Sequence, residues 1–348
     1  MNGVDILSFD RAMSKIAAAS HRHVLLGNGF SIALYPEIFS YGSLYENADL
    51  ESVPRISALF EALQTQDFEI VIRHLQDAAR VVEVYRPNLV KLAASLRQDA
   101  AFIKDALVHA IARRHPDRPY DIDGPKYAAC RSFLSNFDNV YTLNYDVLLY
   151  WALMQDEVDE LDMRPDDGFR HPEDDPDQPY VSWQQANKAS VHYLHGALHL
   201  FDTGAEITKY TWSKTTTPIV EQIRQALDED KYPLFVAEGT SASKRTRILH
   251  NAYLHKALRS FESCCASANN AIVVFGHSLA DNDHHILRCI SKGGVKNLLV
   301  SLYGDPNSEG NRQIVKNAEQ IQYQRSKKTR APELEVTFYD AQSASVWG

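Results

Sequence analysis

The sequence predicts an α/β fold: a Rossmann-like parallel sheet flanked by helices, with a helical insertion. Three observations predict it. Short apolar runs alternate with segments of helical period. Four glycine- or amide-bearing motifs follow such runs. A long stretch between the first two runs repeats its apolar residues every three or four positions.

The first run, residues 24–26, ends at Gly27-Asn28-Gly29-Phe30-Ser31. Residues 56–63, 68–82 and 89–112 then carry apolar side chains at spacings of three and four, and read as helices of an insertion at about 50–136. Residues 140–143 form the second run and lead into Thr142-Leu143-Asn144-Tyr145-Asp146. Residues 156–177 are dense in Asp and Glu and broken by Pro165, Gly168, Pro172 and Pro176, which predicts an exposed loop. Its paired carboxylates, Asp166-Asp167 and Asp174-Asp175, are expected only to face solvent. Runs at 191–194, 234–237, 271–275, 298–303 and 336–339 complete the sheet. Several are apolar throughout, as strands covered on both faces should be. No repeat divides the chain, so 1–348 reads as one domain.

The 348 residues are 45% hydrophobic, enough for a large core. A net charge of −9 opposes whole-protein attraction to nucleic acid, so direct nucleic-acid binding is not expected. Two basic clusters, Lys244-Arg245-Thr246-Arg247 and Arg325-Ser326-Lys327-Lys328-Thr329-Arg330, are expected to be solvated faces. Met1-Asn2-Gly3-Val4-Asp5 lacks a signal-peptide pattern and no apolar run reaches membrane-spanning length, so a cytoplasmic protein without membrane contact is expected. Cys130, Cys264, Cys265 and Cys289 offer no Cys-x-x-Cys pair, which predicts mostly buried thiols and no metal.

Each motif allows chemistry and a plainer alternative. Gly27 and Gly29 let backbone N–H groups approach a diphosphate at a helix start, although Ile32 stands where the dinucleotide fingerprint wants a third glycine. Asn144 and Asp146 combine an amide with a carboxylate, and either one is also an ordinary helix cap. His195, before Gly196 in Leu194-His195-Gly196, is a candidate base near neutral pH or a hydrogen-bonded core histidine. His192 and His199 flank it, but a strand does not place them on one face as metal ligands, and the adjacent His284 and His285 make a poor metal pair. In Gly276-His277-Ser278-Leu279, Ser278 can donate to a phosphate or ribose, while Asp281 or Asp283 caps the next helix. The second glycine of a serine-hydrolase elbow is absent there.

These four motifs, in this order, resemble the nucleotide-binding turn, Asn-x-Asp segment, His-Gly and late Gly-x-Ser turn of sirtuin-like proteins. More narrowly, the chain resembles the sirtuin-like NAD hydrolases of bacterial anti-phage defence. The resemblance implies that Asn144 contacts the nicotinamide-side ribose and positions water. It makes His195 the base for attack at the anomeric carbon and sets Asp146 near the nicotinamide amide. Gly27, Asn28, Gly29, Phe30 and Ser31 would hold the diphosphate side, with Gly276, His277, Ser278 and Tyr303 nearer the adenosine. The zinc module of deacylase sirtuins, two cysteine pairs, has no counterpart here.

The expected function is therefore NAD glycohydrolysis, with NAD as substrate, in defence by NAD depletion. The alternative is a non-catalytic NAD or nucleotide-sensing module of a larger defence complex. By the same resemblance, the protein is expected to form a homo-oligomer and to work beside an ATPase or nuclease.

Overall fold

A computed structural model of the protein describes residues 5–50, 52–171, 178, 180–184, 189–211, 217–237 and 239–348. Among these residues the strands are β1 (Ile6–Leu7), β2 (His21–Leu26), β3 (Asn139–Thr142), β4 (Phe169–Arg170), β5 (Tyr180–Trp183), β6 (Val191–Tyr193), β7 (Leu200–Asp202), β8 (Ile207–Tyr210), β9 (Asn270–Phe275), β10 (Asn297–Leu302) and β11 (Glu335–Asp340). Seven of them form one sheet in the order β1-β11-β10-β9-β2-β3-β6, with every neighbouring pair parallel.

That order makes the fold Rossmann-like. From β2 the chain builds outward through β3 to β6, then returns to β9 and builds the other way through β10 and β11. The direction reverses between β2 and β9, and open α/β sheets bind ligands beyond the carboxyl ends of the strands at such a point. The central strands are apolar throughout because helices cover both faces. Val24, Leu25, Leu26, Ile272, Val273 and Val274 are all fully buried.

Six of the seven expected runs are strands of this sheet. The seventh, residues 234–237, makes only an isolated bridge between Phe235 and Gly196. It runs along the turn after β6: Ala197 N donates to Leu234 O at 3.0 Å, and Val236 N to His195 O at 2.9 Å. Hydrophobicity marked it as buried, yet its backbone groups secure a turn instead of joining a ladder. A second sheet, antiparallel in the order β4-β5-β8-β7, is not apparent in the apolar pattern. Its strands span two to four residues and carry Arg170, Ser182, Thr208 and Lys209, so no run stands out.

Helices fill the chain between β2 and β3, beginning at Gly29–Ile32, earlier than the expected insertion, and ending with Gly124–Leu134. The principal pair is Phe68–Tyr85 and Val90–Arg114. Asp67 caps the first by accepting from Glu69 N at 2.9 Å and Ile70 N at 3.3 Å. Phe68, Val71, Ile72, Leu75 and Ala79 form its buried stripe. This fixes Glu69 in the first turn, beside the site described below.

Residues 156–168 form neither helix nor strand, as expected, while Pro172, Asp174-Asp175 and Pro176 lie outside the described residues. The loop's carboxylates are more engaged than solvation requires. Asp159 pairs with the fully buried Arg131 at 2.7 Å, Asp166 with Arg170 at 2.5 Å, and Asp167 with the buried Lys209. The basic clusters depart further from expectation, because each contains a buried cation. Lys244 is fully buried, and Arg325 donates to the carbonyls of Ile290, Ser291 and Val295 around the end of helix His284–Lys292. Both lie on apolar stripes, Lys244 one turn from Ile248 and Arg325 one turn from Ile321. All four cysteines are free thiols, Cys264 partly buried and the others buried. Among the described residues no helix is long and apolar enough to cross a membrane.

Candidate active site

The ladder registers set Leu26 beside both Phe275 and Thr142, and Thr142 beside Tyr193. One residue further, Gly27 N bonds Phe275 O at 2.9 Å, Leu143 N bonds Leu26 O at 3.0 Å and Leu194 N bonds Thr142 O at 2.9 Å. The four motifs therefore leave four adjacent strands, β9, β2, β3 and β6, on one rim. His277, Asn28, Asn144 and His195 stand at successive places along it.

The glycines serve a purpose that spacing alone did not reveal. A Cβ on Gly29 would lie 2.5 Å from Gly276 Cα, and one on Gly27 would lie 2.6 Å from Gly276 O. Gly29 N donates to Gly276 O at 2.8 Å, and the N–H groups of Phe30 and Ser31 bond Gly27 O and Asn28 O. The turns after β2 and β9 pack backbone to backbone, so these N–H groups are not free for a diphosphate. The Asn28 amide is tied to Phe39 O at 3.0 Å, and Phe30 is buried against Trp347. Ser278 and Tyr303 are exposed on the same side, Tyr303 just beyond β10.

Gly196 has a similar constraint. Its φ is +77°, and an added Cβ would fall 1.9 Å from Leu234 O. Gly196→Ala is expected to lose about 2–5 kcal/mol through left-handed strain and overpacking. A urea midpoint unchanged from wild type would contradict this geometry.

Two polar groups occupy the rim. In the first, Asn144 Nδ2 donates to Ser31 Oγ at 2.9 Å, and Ser31 Oγ donates to Asp146 Oδ2 at 2.5 Å. Asp146 Oδ1 accepts Leu148 N at 3.0 Å. Burial pushes the Asp146 carboxyl up, against the bonds from Ser31 and Leu148. With both oxygens engaged, Asp146 organises Ser31 and Asn144, and the Asn144 Oδ1 carries no bond among the described residues.

The second group surrounds His195. Its Nε2 lies 3.0 Å from His285 Nε2 and 3.7 Å from Asp283 Oδ1. Lys244 Nζ lies 2.9 Å from the same Asp283 oxygen and 2.7 Å from Glu69 Oε2. Asn282 also donates to Glu69 at 2.6 Å, and the Tyr145 hydroxyl shares its one proton between Val236 O at 2.8 Å and Glu69 at 3.2 Å. Because His277 Nδ1 accepts Leu279 N at 2.9 Å, its Nε2–H is the donor to Asp283 Oδ2 at 3.0 Å. His277 thus orients Asp283.

Burial sets the protonation states here. It holds the His195 imidazole well below its ordinary 6.5, although Asp283 pulls the other way. His285 is pushed down to about 3, again mainly by burial. Burial alone would raise Asp283, but Lys244, His277 and His195 together hold it well below the usual carboxylate range. With neutral imidazoles, two carboxylates face one ammonium, which leaves a net negative charge.

His195, Asp283 and His285 are the described residues able to offer a metal three ligand atoms, all within 4.8 Å of one another. The ammonium of Lys244, bonded to Asp283, opposes a dication there.

Glu69, Ser241 and Asn282 carry no motif signal, while Tyr145, Lys244 and His285 stood in segments singled out for other reasons. A lysine on an apolar stripe was the hint that Lys244 is buried.

With the geometry in view, comparison places the chain among known families. It belongs to the family described as a domain of unknown function, DUF4917, whose model matches residues 24–347. Comparison with curated proteins finds no match. A solved chain described as "The Structural basis for Sirtuin Substrate affinity" is similar at 12% identity, covering 92% of this chain and 100% of that one with a TM-score of 0.36.

Proposed function

We propose that the protein is an NAD glycohydrolase that cleaves NAD to ADP-ribose and nicotinamide. The observation that carries this reading is the adjacency of Asn144 and His195, each two residues past the end of neighbouring strands β3 and β6, beside the reversal between β2 and β9. Nicotinamide leaves neutral from a cationic nucleotide, so the reaction needs stabilisation of an oxocarbenium-like centre and a placed water. The net negative charge of Glu69, Asp283 and Lys244 suits the first requirement. Asn144 Oδ1 and an imidazole lone pair suit the second. As the C1′–N bond breaks, water oxygen bonds to C1′ and its proton passes to His195.

The sirtuin-like motif order supports a role in anti-phage defence by NAD depletion, in a homo-oligomer acting with an ATPase or nuclease. The glycine turns supply less free N–H than a diphosphate cradle would. Asn28, His277 and Ser278 retain backbone N–H groups without partners among the described residues.

The test incubates purified protein with NAD and measures nicotinamide release, beside His195→Ala and Asn144→Ala. Each substitution is expected to slow release by about 10²–10⁴-fold. Equal release by all three proteins removes the hydrolase reading. NAD binding by calorimetry without release supports the sensing alternative, and neither binding nor release removes both.

A further inference from the structure

The contact between His195 and His285 joins residues 90 apart in sequence, and both rings are buried. Their Nε2 atoms meet at 3.0 Å, with ring centroids 5.1 Å apart and planes 18° from parallel. Two neutral imidazoles can hold that contact only with one N–H in the gap. Two would clash, and none would set lone pair against lone pair. The tautomers of the two rings are therefore locked together.

Two features decide which ring donates. Asp283 Oδ1, 3.7 Å from His195 Nε2, favours a proton on that nitrogen. On the far side, Ser241 Oγ lies 3.2 Å from His285 Nδ1 and can accept a proton from it, while also accepting the His285 backbone N–H at 2.7 Å. In the reverse arrangement His195 would carry its proton on Nδ1, which has no acceptor among the described residues. That arrangement also turns the His195 Nε2 lone pair toward the Asp283 carboxylate.

We propose that His285, backed by Ser241, is a positioning residue that holds His195 as the Nε2–H tautomer and leaves the Nδ1 lone pair as the reacting base. The catalytic use of that lone pair rests on the glycohydrolase reading, whereas the tautomer lock does not. Ser241 opens helix Ser241–Leu249 and His285 lies in the first turn of His284–Lys292. The lock is thus built from two helix starts packed against the turn after β6.

The experiment combines nitrogen-15 NMR of the imidazoles with NAD turnover for wild type, His285→Phe and His285→Gln. In wild type, His195 should show a protonated Nε2 and an unprotonated Nδ1. Glutamine can accept the same N–H through its carbonyl, so His285→Gln should keep that tautomer and most of kcat. His285→Phe should show mixed tautomers and lose about 10²-fold in kcat with little change in KM. A protonated Nδ1 in wild-type His195, or an unaltered tautomer and kcat in His285→Phe, overturns the proposal. Should His285→Phe fail to fold, loss of the tautomer in a folded His285→Gln overturns it equally. A wild type that shows the lock but releases no nicotinamide removes the glycohydrolase reading and leaves the tautomer assignment standing.

Discussion

Replacing Lys244 with methionine is expected to destabilise the protein by roughly 3–5 kcal/mol at neutral pH. The side chain is fully buried and its ammonium lies within 2.9 Å of both Glu69 and Asp283. Burial alone would lower the lysine's pKa, but the two carboxylates outweigh it and hold it above its ordinary value, so it stays charged. Methionine is similar in volume and leaves little cavity, which isolates the electrostatic effect. Two carboxylates then remain inside, with Asn282, Tyr145, His277 and His195 as their polar neighbours among the described residues. Their folded-state pKa values should rise above the unfolded ones, so the deficit should shrink as pH falls and protonation neutralises them. Adding Glu69→Gln and Asp283→Asn to Lys244→Met should restore much of the loss. Urea denaturation at pH 7 and pH 5 reads all of this; equal midpoints for wild type and Lys244→Met at pH 7 would contradict a buried charge triad.

Acid is expected to unfold the wild type well above the range in which exposed carboxylates titrate. Burial pushes His23, His115 and His192 from 6.5 to about 4 and His285 to about 3. It also pushes His195 and His199 well below 6.5. The unfolded chain binds protons in that window and the folded chain does not. The stability these groups contribute is therefore complete above 6.5 and lost as pH falls through the folded values. Each shift of this size corresponds to about 3 kcal/mol as an order of magnitude.

His115 shows what protonation disrupts, because its Nε2 accepts Val147 N at 3.1 Å and would lose that lone pair. Asp67, raised by burial to about 6, and the raised Asp146 and Asp105 act with the opposite sign, gaining protons in the folded state. Six histidines outnumber these three, so fluorescence-monitored unfolding midpoints should fall steeply between pH 6.5 and 4. A flat profile across that interval would show that the histidines are not buried as described.

Much of the sheet was legible because a strand covered on both faces announces itself in consecutive residues. The runs that became β2, β9 and β10 are local patterns. Residues 234–237 present the same local pattern and form no ladder, since hydrophobicity reports burial and does not specify a hydrogen-bond partner. The strands of the second sheet left too little local signal to be read. In the site, sequence identified Asn144, Asp146, His195 and the turns that share their rim. It did not reveal that Gly27, Gly29 and Gly276 fit one another, nor that Phe30 faces Trp347.

The residues by themselves determined the class of fold, because hydrophobic period and turn chemistry act over a few neighbouring positions. They also determined which polar side chains stand just beyond the strands. Tertiary structure alone decided the electrostatics around His195. Lys244 reaches Asp283 across 39 positions and Glu69 across 175, His195 meets His285 across 90, and Asn282 reaches Glu69 across 213. No local period encodes a contact at such separations; it exists only once the sheet has set the strand ends side by side and the helices have closed over them.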